Sequence, residues 1–461
     1  MSPKQRFSVL RDPVHGDVYL THEELSVLDT PEMQRLRGVK QLGTAYLAYP
    51  GAVHTRFDHS VGVLHMTAGM IEALQRSFEE DPRRTLAVGE REARVVRMAA
   101  LLHDVTHIPF GHNVEDQTGL FHRHDSAYRF ERALAPETRL GARLEELGLR
   151  RDVLATLLGD DAVPAYWSQI MSDTICSDIL DYLARDAYFT GLRLGVDARV
   201  RNYFRIHRAS GNLYIDLAKR DLLREDILSE IVRLLEARYY FSERVYYHHA
   251  KVAAGALVSR AVELAVRADL VREEDFYDRT DESLLAMLAE RAPRAEPALA
   301  RRIRSMIDRV RERRLPKRAC VLPLYANETV QDDLVALALP GRGPKSAERL
   351  AARVDLEERI ADLVRFATGR ELEILLVCPA AHMQLKEAGT HVLWPGESAP
   401  RPLSDFTDRV PRLADLERSY RNLWKFYVFA TTDEPAVLRK VQEIAMAELP
   451  SAENVYSVEG S

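Results

Sequence analysis

The sequence is poor in cysteine and has no long apolar run. Its 461 residues include three cysteines, Cys176, Cys320 and Cys378, which are far apart and form no CxxC pair. This spacing argues against both a disulfide framework and a thiolate zinc site. The longest stretch without Asp, Glu, Lys or Arg has 15 residues, 41–55, too few to span a membrane, and residues 1–11 lack the apolar core of a signal peptide. We therefore expect a cytoplasmic protein without a membrane partner.

Lysine is also scarce, and neither sign of charge dominates. Only 9 of the 64 basic residues are lysine, so the abundance of arginine carries no functional signal by itself. The formal net charge is −6, which gives no global reason to expect nucleic-acid binding. With 46% hydrophobic residues the composition is typical of an ordinary globular protein with a large core.

Apolar periodicity predicts a mostly helical protein. Apolar residues recur at helical spacing in six long segments, Pro31–Leu42, Phe57–Leu74, Ala93–His103, Trp167–Phe189, Leu222–Tyr240 and Val245–Val266. Alternating residues predict a hairpin over Phe7–Thr21 around a Gly16-Asp17 turn, and a surface hairpin over Tyr203–Ile215. Beyond Phe276, short strand-like runs alternate with helices. We therefore expect small β-hairpins on a helical core over residues 1–270, followed by a smaller α+β lobe over residues 271–461.

Histidines are the most informative residues. Besides His65, six of the 15 histidines fall within 66 residues: His59, His103, His107, His112, His122 and His124. The mostly apolar segment Ala93–Leu102 must be largely buried, and it ends in His103-Asp104. Burying an imidazole beside a carboxylate is costly unless both are satisfied, and a divalent metal satisfies both. For this pair alone, a core histidine bonded to a helix end is the other interpretation.

Two further segments favour a metal site. Arg56 and His59 lie on one face of a predicted helix at a spacing of three. Helical spacing in Asp173–Asp186 gathers one polar stripe, formed by Asp178, Asp181, Tyr182, Arg185 and Asp186. This segment carries four acids and few nearby bases, so we expect a cation beside it. The mixture of imidazole and carboxylate suits Fe, Mn, Ni or Zn, with Mg an alternative at the oxygen ligands.

The ordered set His59, His103-Asp104 and Asp178 resembles the signature of the HD superfamily of metal-dependent phosphohydrolases. Five sequence segments resemble its deoxynucleoside triphosphate (dNTP) triphosphohydrolase branch, which includes bacterial dGTPases. They are DPVHG at 12–16, DTPEMQRLR at 29–37, KQLG at 40–43, FGH at 110–112 and DYLARD at 181–186. The resemblance is strong over residues 7–260 and faint beyond. It implies that the helical core is an HD domain.

The resemblance also implies a role for each matching residue. The metal ligands would be His59, His103, Asp104 and Asp178. His107 matches the catalytic histidine near the scissile α-phosphate. His124 with Asp125 matches a second catalytic His-acid pair, although His122 fits that place equally well.

Substrate contacts follow from the same resemblance. The matching residues are Arg56 and Arg238 for the phosphates, Gln41 and Asp186 for the sugar 3′-hydroxyl, Tyr182 and Tyr246 around the deoxyribose, and His112 in the FGH motif. A tyrosine ring against the 2′ carbon would leave no room for a ribonucleotide hydroxyl. Other interpretations stay open, because both tyrosines could be plain core aromatics and His112 could be a structural histidine at a helix start.

The chain departs from the family pattern near the metal ligands. The family often has a lysine directly after the last metal Asp, and here that residue is Ile179. Thr106 and Ile108 replace the glycines around the catalytic histidine. These changes leave the metal ligands intact, but they bear on triphosphate affinity and on the choice of nucleotide.

The basic run Arg301–Arg318 is a candidate regulatory feature. In the resembling enzymes an Arg and a Lys four residues apart bind an activating nucleotide between subunits, together with an Asp, a Gln and an Arg near the N-terminus. The residues here with similar spacing are Arg313, Lys317, Asp29, Gln34 and Arg37, while the family's N-terminal Lys falls on Ser8. A site shared between subunits implies a homotetramer, or at least dimers that associate further. The alternatives are a solvated helix face and a contact with single-stranded nucleic acid.

We therefore predict metal-dependent hydrolysis of a dNTP to deoxynucleoside and inorganic triphosphate, with activation by a nucleotide. The resemblance implies attack of water on the α-phosphorus, with His107 as the acid and His124 assisting. One alternative is an HD phosphohydrolase acting on a nucleoside monophosphate, a cyclic nucleotide or an oligonucleotide end. The other is a nucleotide-sensing or nucleic-acid-binding regulator with vestigial catalysis.

Overall fold

The structure is a computed structural model that describes residues 7–195 and 197–458. It is 57% helical and 10% strand, which confirms the predicted mostly α class. The helices are α1 (His22–Leu28), α2 (Pro31–Arg35), α3 (Arg56–Glu80), α4 (Glu90–Leu102), α5 (His112–Thr118), α6 (Ala127–Ala133), α7 (Arg139–Glu146), α8 (Arg150–Leu158), α9 (Ala165–Gln169), α10 (Ser177–Thr190), α11 (Glu225–Phe241), α12 (His249–Arg267), α13 (Asp281–Arg291), α14 (Pro297–Arg311), α15 (Leu324–Asn327), α16 (Gln331–Ala338), α17 (Ser346–Thr368), α18 (Pro411–Arg421) and α19 (Pro435–Glu448).

The strands form small sheets. They are β1 (Phe7–Asp12), β2 (Gly16–Thr21), β3 (Phe204–Ile206), β4 (Leu213–Asp216), β5 (Ala218–Lys219), β6 (Leu222–Leu223), β7 (Lys317–Pro323), β8 (Ile374–Val377), β9 (His391–Leu393), β10 (Arg401–Pro402) and β11 (Lys425–Ala430). β1 pairs with β2 and β5 with β6; the larger sheets have the orders β10-β9-β4-β3 and β7-β11-β8. The antiparallel β7-β11-β8 sheet packs with α17 and α19, so the predicted strands of the C-terminal lobe are present.

The N-terminal hairpin turns earlier than predicted. Asp12 already pairs with Gly16, so Gly16 and Asp17 belong to β2 and the turn consists of residues 13–15. The Asp12 carboxylate accepts hydrogen bonds from the backbone N–H groups of Val14 and His15, which replaces the strand ladder with a turn closed by a side chain. The predicted Gly16-Asp17 turn is therefore wrong.

Two predicted helices are interrupted. The helix predicted over Pro31–Leu42 ends at Arg35, and a 3-10 turn follows over Leu36–Gly38. A side chain at Gly38 would collide with Thr280, and the backbone N–H of Lys40, two residues on, donates to Asp281. The backbone conformation here is determined by contacts with Thr280 and Asp281 rather than by helical periodicity.

The helix predicted over Trp167–Phe189 is divided into α9 and α10. Residues 170–176 turn back so that the N–H of Ser177 donates to the C=O of Ile170, and the extended Cys176 precedes α10. Asp178 therefore lies in the first turn of a helix, where a carboxylate is stabilised by the helix dipole. This break gives the candidate metal ligand its direction.

The hairpin predicted on the surface over Tyr203–Ile215 exposes its turn at residues 208–210, but its second strand lies in the interior. All four residues of β4 are buried, because β4 pairs with β3 on one side and with β9 on the other. β9 comes from the far end of the chain, so one sheet joins residues on both sides of the predicted boundary at 270. The two-domain division stays a prediction, and the two parts share this sheet.

Candidate functional site

Three helix ends supply the residues of the candidate metal site. α3 begins with Thr55 as its N-terminal cap and packs against both α4 and α10. Its first turn carries Arg56 and His59, the end of α4 carries His103-Asp104, and the first turn of α10 carries Asp178. Packing of three helices thus brings together residues that are up to 122 positions apart from Arg56 to Asp178 in the sequence.

The candidate ligand atoms converge on a space the size of one ion. The Nε2 atoms of His59 and His103 are 3.2 Å apart, and Asp178 Oδ1 is 2.9 Å from the first and 3.8 Å from the second. Asp104 Oδ1 is 3.6 Å from His103 Nε2. One ligand atom from each of His59, His103 and Asp104 lies within 4.8 Å of the others. Two imidazoles and two carboxylates form a donor set that suits a divalent transition metal.

The outer nitrogens of both imidazoles are already hydrogen-bonded. His59 Nδ1 lies 2.7 Å from Asp181 Oδ2, and His103 Nδ1 lies 2.8 Å from the C=O of Ala100. Because both partners are acceptors, we assign the ring proton to Nδ1 in each histidine, which leaves the Nε2 lone pair directed at the shared space. The residues present therefore fit a metal.

The electrostatics of the site favour a cation. Burial opposes protonation of His59, but hydrogen bonds to Asp178 and Asp181 outweigh it and raise the pKa of His59 to about 10. Burial also opposes ionisation of Asp104, but Arg56, His103 and His107 hold the pKa of its carboxyl well below the usual range. Arg56 donates to Asp104 Oδ2 over 2.6 Å. An ionised carboxylate and a proton-attracting imidazole thus share one buried space.

Two of the acids expected to lie beside a cation contact protein bases instead. Asp181 is fully buried and contacts Arg185 at 2.9 Å and His15 at 2.5 Å, besides His59. Asp186 contacts His54 at 2.7 Å. The prediction of few nearby bases along α10 is therefore wrong, because Arg185 of α10 itself and His15 and His54 from distant segments contact its acids. Asp178 is the carboxylate of this stripe that faces the ligand group.

A second histidine cluster adjoins the first. The rings of His107 and His124 stack with centroids 3.7 Å apart, and His112 meets both edge-on at 5.3 and 5.0 Å. His107 Nε2 is 3.2 Å from Asp104 Oδ1, which joins the two clusters. Thr106, which stands where the family has a glycine, donates its hydroxyl to the backbone C=O of His124 and so ties this segment in place.

The acid partner of His124 is not the predicted one. His124 Nδ1 is 2.9 Å from Glu115 Oε2, whose other oxygen accepts from Arg129. Asp125 instead forms a bidentate salt bridge with Arg123, with N–O distances of 2.9 and 3.0 Å. Asp125 belongs to a turn that faces Arg123, whereas Glu115 projects from α5 directly at the imidazole. The structure thus replaces the predicted His124-Asp125 pair by His124-Glu115.

His122 points away from the cluster. It bonds to Glu273, stacks on Tyr128 at 4.2 Å between ring centroids and is half exposed. Of the two histidines that the sequence offered for this place, the structure brings His124 beside His107. Glu115 itself was missed, although it follows His112 by three residues, the spacing that puts two side chains on one helix face.

The stacked histidine His107 is uncharged in this arrangement. Burial lowers the pKa of His107 well below its usual range, and the positive charges of Arg56 and His124 lower it further. Its Nδ1 atom is buried without a hydrogen-bond partner among the described residues. This ring nitrogen, which has no partner among the described residues, can form a hydrogen bond with a ligand.

A cavity of about 670 Å³ extends from the candidate metal ligands. Its walls include all the predicted substrate residues: Gln41, Arg56, His112, Tyr182, Asp186, Arg238 and Tyr246. Tyr246 donates its hydroxyl to Asp186 over 2.8 Å, and Arg238 bonds to the hydroxyl of Tyr182. Gln41 Oε1 is buried without a described partner. Both tyrosines line this cavity and also pack against the hydrophobic core, so their substrate roles stay a prediction.

Residues that the sequence did not indicate complete the cavity. Lys251 lies in its wall, and its pKa is lowered to about 8 by burial. His382, Gln384 and Lys386 come from the C-terminal lobe. That segment is held by Gln117, which donates to the C=O of Cys378, and by Thr174, whose hydroxyl meets that of Thr390 at 2.6 Å. No local sequence motif predicts these residues, because tertiary packing brings them to the site.

The predicted activator residues form two groups in this chain. Arg37 donates to Gln34 over 2.8 Å near the exposed Asp29. Arg313 and Lys317 line a different cavity of about 430 Å³, where Arg313 also donates to the C=O of Leu47. No contact between the two groups occurs among the described residues. Their joint role in one site stays a prediction about two subunits.

Comparison with known proteins identifies the family. A model of the HD domain matches residues 56–157, and a model of the HD associated region matches residues 217–453, which is just over half of the chain. The chain belongs to the HD family. The HD match begins at Arg56 and includes His59 and His103-Asp104. No helix within residues 7–195 and 197–458 combines the length and the apolar content needed to cross a membrane.

Several relatives of this HD protein are known. An uncharacterized protein from Methanocaldococcus jannaschii, MJ1154, is 29% identical over 61% of this chain and 54% of its own length. A deoxynucleoside triphosphate triphosphohydrolase SAMHD1 homolog from Dictyostelium discoideum is 26% identical over 68% of this chain and 60% of its own length. The match thus spans little more than half of these curated relatives. A crystal structure of a hypothetical protein from Aquifex aeolicus shares the fold, with a TM-score of 0.65 at 22% identity over 96% of this chain and 100% of its own.

Proposed function

We propose that this protein is a metal-dependent phosphohydrolase that converts a dNTP to deoxynucleoside and inorganic triphosphate. The observation that carries the proposal is the single cavity that joins two chemically different ends. One end has the imidazole and carboxylate group with Arg56 beside it, and the other has Gln41, Asp186 and Tyr246. The first end suits phosphates and the second suits a sugar.

A divalent metal fits the first end. His59, His103, Asp104 and Asp178 would hold it, as their convergent atoms and bonded outer nitrogens support. When bound, such an ion supplies Lewis acidity, which makes water more acidic and neutralises phosphate charge. Fe, Mn, Ni or Zn suits the donor set, and Mg suits the nucleotide oxygens.

The arginines of this end bind the triphosphate. Arg56 is fixed by Asp104, and its Nε atom is buried without a described partner, which leaves a donor for a phosphate oxygen. Arg238 lies across the cavity on the hydroxyl of Tyr182. Ile179 stands where the family often has a phosphate-binding lysine. The two guanidinium groups can neutralise the negative charge of the triphosphate in its place.

His107 supplies the proton to the departing 5′ oxygen. The ring is neutral in the free protein because Arg56 and burial depress its pKa, and the negative charge of a bound triphosphate acts in the opposite direction. His107 therefore becomes a useful acid only when the substrate is in place. His124 stacks against it and shares the charge with Glu115, its hydrogen-bonded acid.

The second end recognises a deoxyribose. Gln41 Oε1 is free to accept from the 3′-hydroxyl, and Asp186 is held at the right place by His54 and Tyr246. The Tyr246 ring, anchored through its hydroxyl, closes the space beside the sugar where a 2′-hydroxyl would lie. This arrangement supports a deoxynucleotide rather than a ribonucleotide.

The test is to incubate the purified protein with each dNTP and Mn or Mg and to resolve the products by ion exchange. We expect deoxynucleoside and triphosphate in equal amounts. Pyrophosphate with a deoxynucleoside monophosphate, or no turnover of any dNTP, would contradict the proposal. His103→Ala should abolish turnover together with metal content.

A second candidate rests on Ile179, which puts an apolar side chain in the cavity wall at the place of the family's lysine. It is hydrolysis of a smaller phosphoester, such as a nucleoside monophosphate, a cyclic nucleotide or an oligonucleotide end. Gln41→Ala separates the two, because turnover should fall strongly if Gln41 holds a 3′-hydroxyl. Unchanged turnover would favour the smaller substrate.

We also propose regulation by a second nucleotide in an oligomer, with Arg313 and Lys317 on one subunit and Asp29, Gln34 and Arg37 on another. The cavity beside Arg313 and Lys317 supports an anion site there. Single-stranded nucleic acid is less favoured as the partner of the basic run, because Arg302 is paired with Glu373 and Arg309 bonds to the C=O of Thr431.

A further inference from the structure

The loop between α4 and α5 carries His107 and has no regular secondary structure. Residues 105–107 are buried in two short turns, in which the N–H of Val105 donates to the C=O of Leu102 and the N–H of His107 to the C=O of Asp104. No helix or strand ladder satisfies the carbonyl oxygens of these three residues. Because a buried C=O without a partner is costly, other donors must reach them.

Two arginines from distant segments hold these three carbonyl oxygens. Arg35, the last residue of α2, donates through Nη2 to the C=O of Val105 over 2.9 Å and to the C=O of His107 over 2.8 Å. Arg129 of α6 donates to the C=O of Thr106 over 3.1 Å. A planar guanidinium presents its N–H donors in a fixed geometry, so one arginine side chain spans two carbonyls.

Arg35 directs its donors at backbone oxygens. Its third bond is to the C=O of Arg279 over 3.1 Å, and none of its hydrogen bonds or ion pairs among the described residues is to a carboxylate. Burial lowers the pKa of Arg35 to about 10, although the charge of Asp278 acts in the opposite direction. The guanidinium is therefore still a cation at neutral pH, and two of its three hydrogen bonds go to the loop.

The loop determines the place of the His107 ring. Nε2 of this ring lies 3.2 Å from Asp104 Oδ1, and the ring stacks on His124 with centroids 3.7 Å apart. Both contacts depend on the position of the backbone at residue 107, because only two rotatable bonds separate a histidine ring from it. Arg35 is not among the residues that line the cavity. Its influence on the reaction is therefore exerted through the loop.

We propose that Arg35 is a positioning residue, which fixes the backbone of residues 105–107 and so holds the ring of His107 beside Asp104. The inference rests on the proposed function, in which His107 supplies the proton to the leaving group. Asp104 is held independently by Arg56 over 2.6 Å. Loss of Arg35 should therefore lower the rate of the chemical step more than the binding of metal or substrate.

The first test compares kcat and KM for the best dNTP in the wild type and in Arg35→Met, with kcat expressed per metal-loaded protein. We expect kcat to fall about tenfold or more, because a misplacement of about 1 Å in a catalytic group can cost about 100-fold. KM should change less than about threefold, because no contact with the substrate is removed. A rise in KM at unchanged kcat would overturn the inference.

Arg35→Lys decides the question if Arg35→Met does not fold. A lysine keeps the positive charge, but its single nitrogen lacks the rigid fork that spans both carbonyls. We expect the same loss of kcat at unchanged KM, with a smaller fall than in Arg35→Met. A folded Arg35→Lys protein with the kcat of the wild type would show that the two-carbonyl contact has no role.

A second readout does not depend on turnover. In protein with isotope-labelled histidine, NMR gives the ring C–H resonances, and the His107 signal is assigned by its loss in His107→Gln. The stacked ring of His124 shifts this signal, so the signal should move in Arg35→Met. A merely structural role of Arg35 would lower the free energy of unfolding and leave the His107 signal of the folded protein in place, which would overturn the inference.

Arg150→Met is the matched control. Arg150 is also partly buried and also donates to a backbone C=O, that of Leu134 over 2.7 Å, but it is not among the residues that line the cavity. It should keep the kcat, the KM and the His107 signal of the wild type. If the wild type hydrolyses no dNTP, the proposed function fails by itself, and the His107 signal then decides about Arg35.

Discussion

Asp181 controls the candidate metal site without belonging to it. Its carboxylate orients His59 through Nδ1 and is itself held by Arg185 and His15. Burial opposes its ionisation, but Arg185 and the two histidines hold the pKa of Asp181 well below the usual range. The residue is thus a permanent negative charge behind a metal ligand, which makes the imidazole a stronger donor.

We expect Asp181→Asn to weaken metal binding about 10- to 100-fold, the usual effect of losing an outer carboxylate on a ligating histidine. Competition with a chelator for Mn or Zn measures it. Asp173→Asn is the control, because Asp173 lines the same cavity but is exposed and is not bonded to His59. Equal affinity in both variants would show that His59 needs no partner.

Glu115 sets the protonation of His124. Burial lowers the pKa of His124, and the hydrogen bond that its ring donates to Glu115 acts in the opposite direction. Glu115→Gln removes the negative charge, so the pKa of His124 must fall further. If the protonated ring is required, the alkaline limb of the kcat profile moves to lower pH.

The measurement is kcat against pH for the best dNTP in the wild type and in Glu115→Gln. Asp125→Asn is the control, because Asp125 pairs with Arg123 and not with the imidazole. We expect its alkaline limb to stay in place. A shift in Asp125→Asn with none in Glu115→Gln would restore the pair that the sequence had indicated.

At the scale of elements, the site depends on close packing of α3 against α10. Gly62 on α3 faces Asp181 and Arg185, and an added Cβ would collide with both. Gly69, two turns further along the same helix, faces the tip of Arg201, which can move aside. The two glycines differ in what they touch and not in their backbone.

Gly62→Ala should therefore lower the free energy of unfolding by about 1–3 kcal/mol through overpacking, even though alanine favours a helix by about 1 kcal/mol over glycine. Gly69→Ala should leave stability unchanged or raise it. Urea unfolding of both variants gives the comparison, and metal affinity should fall only in Gly62→Ala. Equal midpoints would mean that the interface yields to a methyl group.

At the scale of the whole molecule, the two parts of the chain are closely joined. β9 pairs with β4, and His382 and Lys386 line the cavity. The C-terminal lobe therefore contributes to the candidate active site, besides any role in regulation or assembly.

Regulation by a second nucleotide belongs to this scale, because its proposed site needs two subunits. Reversing charge with Arg313→Glu and Lys317→Glu together should abolish activation of one dNTP's hydrolysis by another and leave metal content intact, since a site built on these cations would repel phosphate. Light scattering with and without dGTP should show nucleotide-dependent assembly in the wild type only.

The matched control is the pair Arg301→Glu and Arg304→Glu, which changes two exposed arginines of the same basic run. It should keep both activation and assembly. A monomer whose rate is hyperbolic in every dNTP and indifferent to mixtures would make the basic run a solvated face.

The sequence by itself determined the class of fold, the family and the candidate metal ligands. His59 and His103-Asp104 could be found because they lie at the ends of helices that local patterns predict, and Asp178 because the order of the whole set resembles a known signature. The short strands of the C-terminal lobe were readable for the same reason, since alternation and composition are local properties.

Only the tertiary structure decided which acidic and basic side chains pair with each other. The family resemblance assigned Asp125 as the partner of His124, but Glu115 on α5 is hydrogen-bonded to the ring. Asp181 and Asp186 of α10 contact His15 and His54, which are more than 100 residues away in the sequence. Lys251 and β9 reach their places in the same way. Such contacts depend on how helices pack and which strand edges meet, and those distances are fixed by the whole core rather than by any segment of the chain.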